Sequence, residues 1–123
     1  MEQYDLTESE YRFASVIWEH EPLGSGELVS LCATKLGWKK STTYTVLKKL
    51  CEKGIFRNEN AVITSVVGRD RVQRRESEQF VERVFGGSLP GFLNAFISEK
   101  GLTQDEVDEL RGIIEKSVKN DTE

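Results

Sequence analysis

The sequence predicts a mainly α-helical chain, with three helices and a short β-hairpin in residues 1–69 and a helical tail in residues 70–123. Three observations carry this expectation. Apolar side chains recur at helical spacing in successive segments separated by glycine or proline. One β-branched run, Val62 to Val67, follows residues that accept turn geometry. Two Thr-x-x-Glu capping boxes, at Thr7 and Thr103, mark helix starts near either end.

Taken in order, the first helix starts at residue 8, where Thr7-Glu8-Ser9-Glu10 has the capping spacing and Leu6 and Tyr11 form a staple pair. Tyr11, Ala14, Ile17 and Trp18 mark its buried face, and His20-Glu21-Pro22 ends it, because the residue before proline is pushed out of the helical region. A second helix runs from Ser25 or Gly26 to about Leu36, burying Leu28, Leu31, Cys32 and Leu36 until Gly37 stops it. After Gly37-Trp38-Lys39 comes a third, from about Lys40 to Lys53, closed by Gly54. On a helical wheel Thr43, Val46, Leu47, Leu50 and Cys51 share one side; Ser41, Thr45, Lys48 and Glu52 face away, flanked by Thr42 and Lys49. Ile55-Phe56-Arg57 and the Val62–Val67 run then bracket a turn at Asn58-Glu59-Asn60. Helix, tight turn, helix, then hairpin describes a winged helix-turn-helix.

The tail reads as helices over residues 70–85, Ser88 to Lys100, and from Thr103 onward, broken at Gly86-Gly87 and Gly101. Phe80, Val84 and Phe85 are apolar in the first; Leu89, Phe92, Leu93, Phe96 and Ile97 in the second; Leu110, Ile113 and Ile114 in the third. Isolated helices cannot hide so many large apolar groups from water, so these eleven residues are expected to join two copies of the chain as a homodimer. The alternative is that the tail folds back onto the winged part as one larger core.

Composition narrows the chemistry further. Cys32 and Cys51 lie far apart with one histidine, His20, and no Cys-x-x-Cys, so buried thiols are expected and no metal or cofactor. No paired nucleophile and base and no glycine-rich phosphate loop stand out, which argues against an enzyme. No apolar stretch approaches the ~20 residues that cross a bilayer, and Met1 to Leu6 has neither a basic nor an apolar leader region. A cytoplasmic protein without membrane insertion is therefore expected.

The net charge of −4 hides a segregation. Residues 1–34 hold one basic and seven acidic side chains, residues 35–75 eleven and three, and residues 76–123 five and eleven. The basic block is centred on the third helix, where no acidic residue occurs from Lys39 to Lys49. Short hydroxyls at Ser41, Thr42 and Thr45 suit close approach to base edges; Lys39, Lys40, Lys48 and Lys49 suit phosphates. Tyr44 sits at the edge of that face, where it either meets the DNA or packs against the wing. Arg57 leads into the hairpin as a further phosphate candidate. The reading is double-stranded DNA in contact with helix three; the rival is a winged-helix module that uses the same helix to bind protein.

Gly37-Trp38, Ser41 to Leu50 and Lys53-Gly54 resemble the BlaI/MecI/CopY family of penicillinase and methicillin-resistance repressors. The likeness extends to Leu6-Thr7, Ile17-Trp18-Glu19, Pro22-Leu23, Val84 to Leu89, Leu102-Thr103 and Glu106 to Leu110. It implies a dimeric transcriptional repressor on dyad-symmetric operators, acting in one branch on β-lactam-resistance genes. In that branch a membrane sensor protease pathway lifts repression by cutting the tail, and the Asn-Phe cleavage pair aligns here with Ala95-Phe96. The cysteine-rich hook of the copper branch has no counterpart after Cys51. Lys39-Lys40 and Tyr44 also depart from the Ser-Pro start and the recognition-helix Arg of many relatives, and the wing lacks their Gly-Arg tip.

Overall fold

A computed structural model describes residues 5–118. Its elements are α1 (Glu8–His20), β1 (Leu23–Gly24), α2 (Ser25–Leu36), α3 (Lys40–Glu52), β2 (Phe56–Glu59), β3 (Val62–Ser65), α4 (Arg69–Phe85), α5 (Leu89–Ile97) and α6 (Gln104–Lys116). The fold is mainly helical with one small antiparallel sheet of order β1-β3-β2. The contacts divide the chain into two compact units, residues 1–80 and 81–123, with the boundary inside α4.

Both expected capping boxes form. Thr7 accepts from the Glu10 N–H at 3.1 Å while the Thr7 N–H donates to Glu10 Oε1 at 3.0 Å, and Thr103 and Glu106 repeat the arrangement on α6. Gly37 closes α2 in the left-handed region, φ 71°, where a side chain would strain the backbone. Trp38 follows, and its ring stacks on Phe13 at 5.4 Å between centroids, fastening the turn between α2 and α3 to α1.

The core of the first unit draws on every element there. Phe13, Ile17, Leu28, Cys32, Leu50, Ile55, Ile63 and Val72 are fully buried. Val72 lies in α4, so the start of that helix belongs to the winged core. Trp18 covers one flank: its Nε1–H donates to the Val67 carbonyl at 3.1 Å, and the Arg69 guanidinium stands 5.5 Å from the ring centroid. Arg69 also pairs with Glu19 at 3.1 Å, and Gln73 donates to the Tyr11 hydroxyl at 3.0 Å, stapling α4 along α1.

Four details differ from the sequence reading. The hairpin turn falls at Asn60-Ala61, one step later than Asn58-Glu59-Asn60, because Asn58 and Glu59 pair with Ile63 and Val62 in the ladder. The two residues Leu23-Gly24 add a third strand against β3, too short to show alternation. Phe13 and Val16 join the buried face of α1, whereas Tyr11 and Trp18 are only half-buried, as is Cys51. The tail's second helix stops at Ile97 rather than Lys100, leaving residues 98–100 as turns.

The second unit has a different character. Phe85, Phe92 and Phe96 form a chain of ring contacts at 5.6 and 5.7 Å, yet no side chain of α5 or α6 is buried. Phe96 is 68% exposed and Ile113 58%.

Asn60 and Ala61 both have positive φ, 55° and 63°, the signature of a two-residue hairpin turn that favours Asn-Gly. Ala61 carries a Cβ penalty there, so Ala61→Gly is expected to stabilise the fold by about 0.5–1 kcal/mol in chemical denaturation. An unchanged or lower midpoint would contradict this turn.

Candidate nucleic-acid interface

Helix α3 is divided along its length by burial. Thr43, Leu47 and Leu50 face the core, and the Thr43 hydroxyl, which donates to the Lys39 carbonyl at 3.1 Å, is consumed inside the helix. Lys39, Lys40, Ser41, Thr42, Tyr44, Thr45, Lys48 and Lys49 are all exposed. The cap residue Lys39 makes no side-chain capping bond, so the first amides of α3 lie at the positive end of the helix dipole beside these cations. No acidic residue stands in the first turn. The face thus offers short hydroxyl donors and a cluster of ammonium groups to an anionic, hydrogen-bonding partner.

Arg57 lies on β2, which packs against α3, and is exposed too. Its Nε is 3.8 Å from Glu59 Oε2, an exposed pair of little energetic weight that leaves the guanidinium available. Tyr44 is 36% exposed, on the same side as the exposed hydroxyl positions. Sequence reasoning therefore finds one continuous polar surface, and the structure leaves each of its nine residues open to solvent.

Three supporting residues escaped that reasoning. Glu10 of α1 is buried, yet its carboxylate reaches α3: Oε2 is 2.9 Å from Lys49 Nζ and Oε1 is 3.6 Å from Lys53 Nζ. Lys53 also donates to the Asp5 carbonyl at 2.9 Å. Burial alone would push the Glu10 carboxyl up, but the hydrogen bonds from Lys49 and the Thr7 amide, with the charges of Lys53 and Lys49, outweigh it and hold the group below the usual range. Glu21, just past α1, anchors the wing: the Ser65 N–H donates to Oε1 at 2.7 Å, and the Ser65 hydroxyl lies 2.8 Å from Oε2. Glu76, whose Oε2 accepts from the Leu6 N–H at 3.4 Å, is pushed up by burial and by Asp5 against that bond. Burial likewise raises the Cys32 and Cys51 thiols, which disfavours the reactive thiolate.

In the second unit, α5 and α6 enclose an apolar cleft of about 360 Å³ lined by Leu93, Ile97, Leu102, Val107, Leu110 and Ile114. Phe92, Phe96 and Ile113 border a neighbouring cleft of about 330 Å³. Ala95 and Phe96 are exposed positions within α5. No helix among the described residues is long and apolar enough to cross a membrane.

A helix-turn-helix with a small wing, a polar helix face without acidic residues from Lys39 to Lys49 and an appended helical unit define a winged-helix regulator. The profile of the penicillinase repressor family matches residues 6–116, and the chain belongs to that family of transcriptional repressors. Similar proteins include the methicillin resistance regulatory protein MecI of Staphylococcus aureus strain Mu50, 24% identical over 117 residues that cover 92% of this chain and 95% of the relative. The penicillinase repressor of Bacillus licheniformis is 24% identical over 115 residues, 90% of each chain. That of Staphylococcus aureus is 22% identical over 116 residues, 91% of this chain and 92% of the relative.

The signs of the two carboxyl shifts set opposite pH dependences. Glu10, depressed on folding, stabilises above the ordinary carboxylate range, and that stability is lost as pH falls through its folded value. Glu76, raised on folding, loses stability as pH rises through the same region. The difference in unfolding free energy between wild type and Glu10→Gln is therefore expected to shrink as pH drops below the carboxylate range. A difference that is flat with pH would remove the ion pair from the stability of the fold.

Proposed function

We propose that the chain represses transcription by binding double-stranded operator DNA as a homodimer, in the cytoplasm, with α3 in the major groove of each half-site. The observation that carries this reading is the exposure of every cation and short hydroxyl that α3 turns outward between Lys39 and Lys49, without one carboxylate among them. Ser41, Thr42 and Thr45 contact base edges, with Tyr44 at the margin; Lys39, Lys40, Lys48 and Arg57 contact phosphates on either side. Lys49 stands apart because Glu10 holds it. The operators have dyad symmetry, since two copies related by a two-fold axis read two half-sites about one helical turn apart. The names of the relatives support genes of the β-lactam-resistance type as targets.

Dimerisation runs through the tail. Phe80, Val84, Leu89, Phe96, Ile113 and Ile114 are exposed in the single chain, and Phe85, Phe92, Leu93, Ile97 and Leu110 are only half-buried, so a second copy supplies the missing cover. A cut at Ala95-Phe96 by a sensor protease pathway would divide α5 and with it this interface.

Footprinting the purified protein on DNA upstream of its own gene is expected to show a protected site with dyad symmetry. Ser41→Ala should lower operator affinity by about 0.5–1.5 kcal/mol, whereas Lys48→Ala should weaken all duplexes and make log K against log salt shallower by about 1 per subunit. Protection without boundaries would refute sequence-specific repression. Sedimentation at micromolar concentration is expected to give the mass of two subunits for the wild type and a shift toward one for Phe96→Asp. One-subunit mass for the wild type would overturn the dimer.

A further inference from the structure

Lys48 and Lys49 are neighbours on α3, both exposed and cationic, but their surroundings differ. Lys48 makes no ion pair among the described residues, whereas Lys49 Nζ lies 2.9 Å from Glu10 Oε2. Glu10 is not a surface partner swinging in solvent. Its side chain is 8% exposed against 58% for Lys49, and it is fixed from its own helix by the Thr7 N–H at 3.0 Å. The acceptor is therefore preorganised, and Lys49 comes to it. Lys53, one turn further on, approaches the other oxygen at 3.6 Å and the Asp5 carbonyl at 2.9 Å, so the C-terminal half of α3 is tethered to the start of α1 at two points.

Resting on the DNA-binding reading, we propose that Glu10 is a positioning residue that withholds Lys49 from the phosphate backbone and so limits the sequence-independent part of the affinity. A phosphate that drew Lys49 away would leave a buried carboxylate short of its closest cation, which is costly. The ammonium of Lys49 is already neutralised, so its docking near DNA releases no net counterion, whereas that of Lys48 does. Of two adjacent lysines, one binds DNA and the other binds the protein.

The test is a double-substitution cycle on a random-sequence duplex, reading the slope of log K against log salt. Glu10→Gln keeps an oxygen for the Thr7 amide, since glutamine also serves in a capping box, while removing the charge that holds Lys49. Circular dichroism confirms that the variants are folded. Lys49→Met alone is expected to leave the slope unchanged, and Lys48→Met to make it shallower by about 0.9 per subunit. Glu10→Gln should steepen it by about 0.9 per subunit and raise affinity several-fold at low salt. The pair Glu10→Gln with Lys49→Met should return to the wild-type slope. A shallower slope for Lys49→Met in the wild-type background overturns the proposal, because Lys49 would then already sit on a phosphate. A folded Glu10→Gln protein with an unchanged slope overturns it as well. A wild type that shows no salt-dependent duplex binding would sink the DNA reading itself, and this inference with it; binding with a flat cycle would sink the inference alone.

Discussion

Helix α3 has to bury one stripe and present the other, and the rest of the winged unit serves that division. Thr43, Leu47 and Leu50 are drawn into a core shared with Phe13, Leu28 and Ile63, which fixes the rotation of the helix about its axis. The Phe13–Trp38 stack sets where the helix begins, because Trp38 stands just before the cap residue Lys39. A rotation of one residue, 100°, would bring lysines toward the core, and unpaired buried ammonium groups are not tolerated. The polar face is thus the obligatory complement of the packing, and the location of the hydroxyls and cations on it follows from hydrophobic burial behind them.

Electrostatics then refines what packing positions. The one buried carboxylate among the described residues, Glu10, is placed by the capping of α1, a local interaction, yet it reaches a helix some forty residues on. Its attraction to Lys49 and Lys53 offsets the cost of burial. At the opposite side Glu21 does for the wing what Glu10 does for α3, using the Ser65 amide and hydroxyl as the anchor. Two acidic side chains at the two ends of α1 thereby fix both elements that the DNA reading places against the duplex. The acidity of residues 1–34, which at first counts against a nucleic-acid partner, is partly spent on orienting the basic block.

Much of this was legible in the sequence because its determinants are local. Capping boxes, the glycine at the end of α2, and the 3.6-residue periodicity of α3 act over a few positions, so helix limits and the exposed face could be read directly. What escaped depends on partners distant along the chain. Leu23-Gly24 is a strand only because Ile63 and Val62 lie beside it. The turn settled on Asn60-Ala61 because ladder register prevailed over local turn propensity, which had pointed to Asn58-Glu59-Asn60. Glu10 read as a cap, and its second role needs Lys49 brought near by the fold.

The tail shows how far local legibility goes when packing is incomplete. Helix α5 spans nine residues and α6 thirteen, at or below the roughly 12–15 residues for which even good sequences hold helix in water without tertiary support. Within one chain that support is the Phe85–Phe92–Phe96 ring series and a shared apolar cleft, and no side chain of either helix is buried by it. Helix formation and association are therefore coupled in the proposed dimer: the partner's apolar surface completes the burial that makes α5 stable, and loss of the partner loosens α5. Ala95 and Phe96 lie in the last turn of that helix, just before its final residue Ile97, where the backbone is the first to open when the helix loosens. In the proposed dimer, the partner's cover would hold that last turn in place, so the burial that completes the apolar face would also limit access to this end of α5.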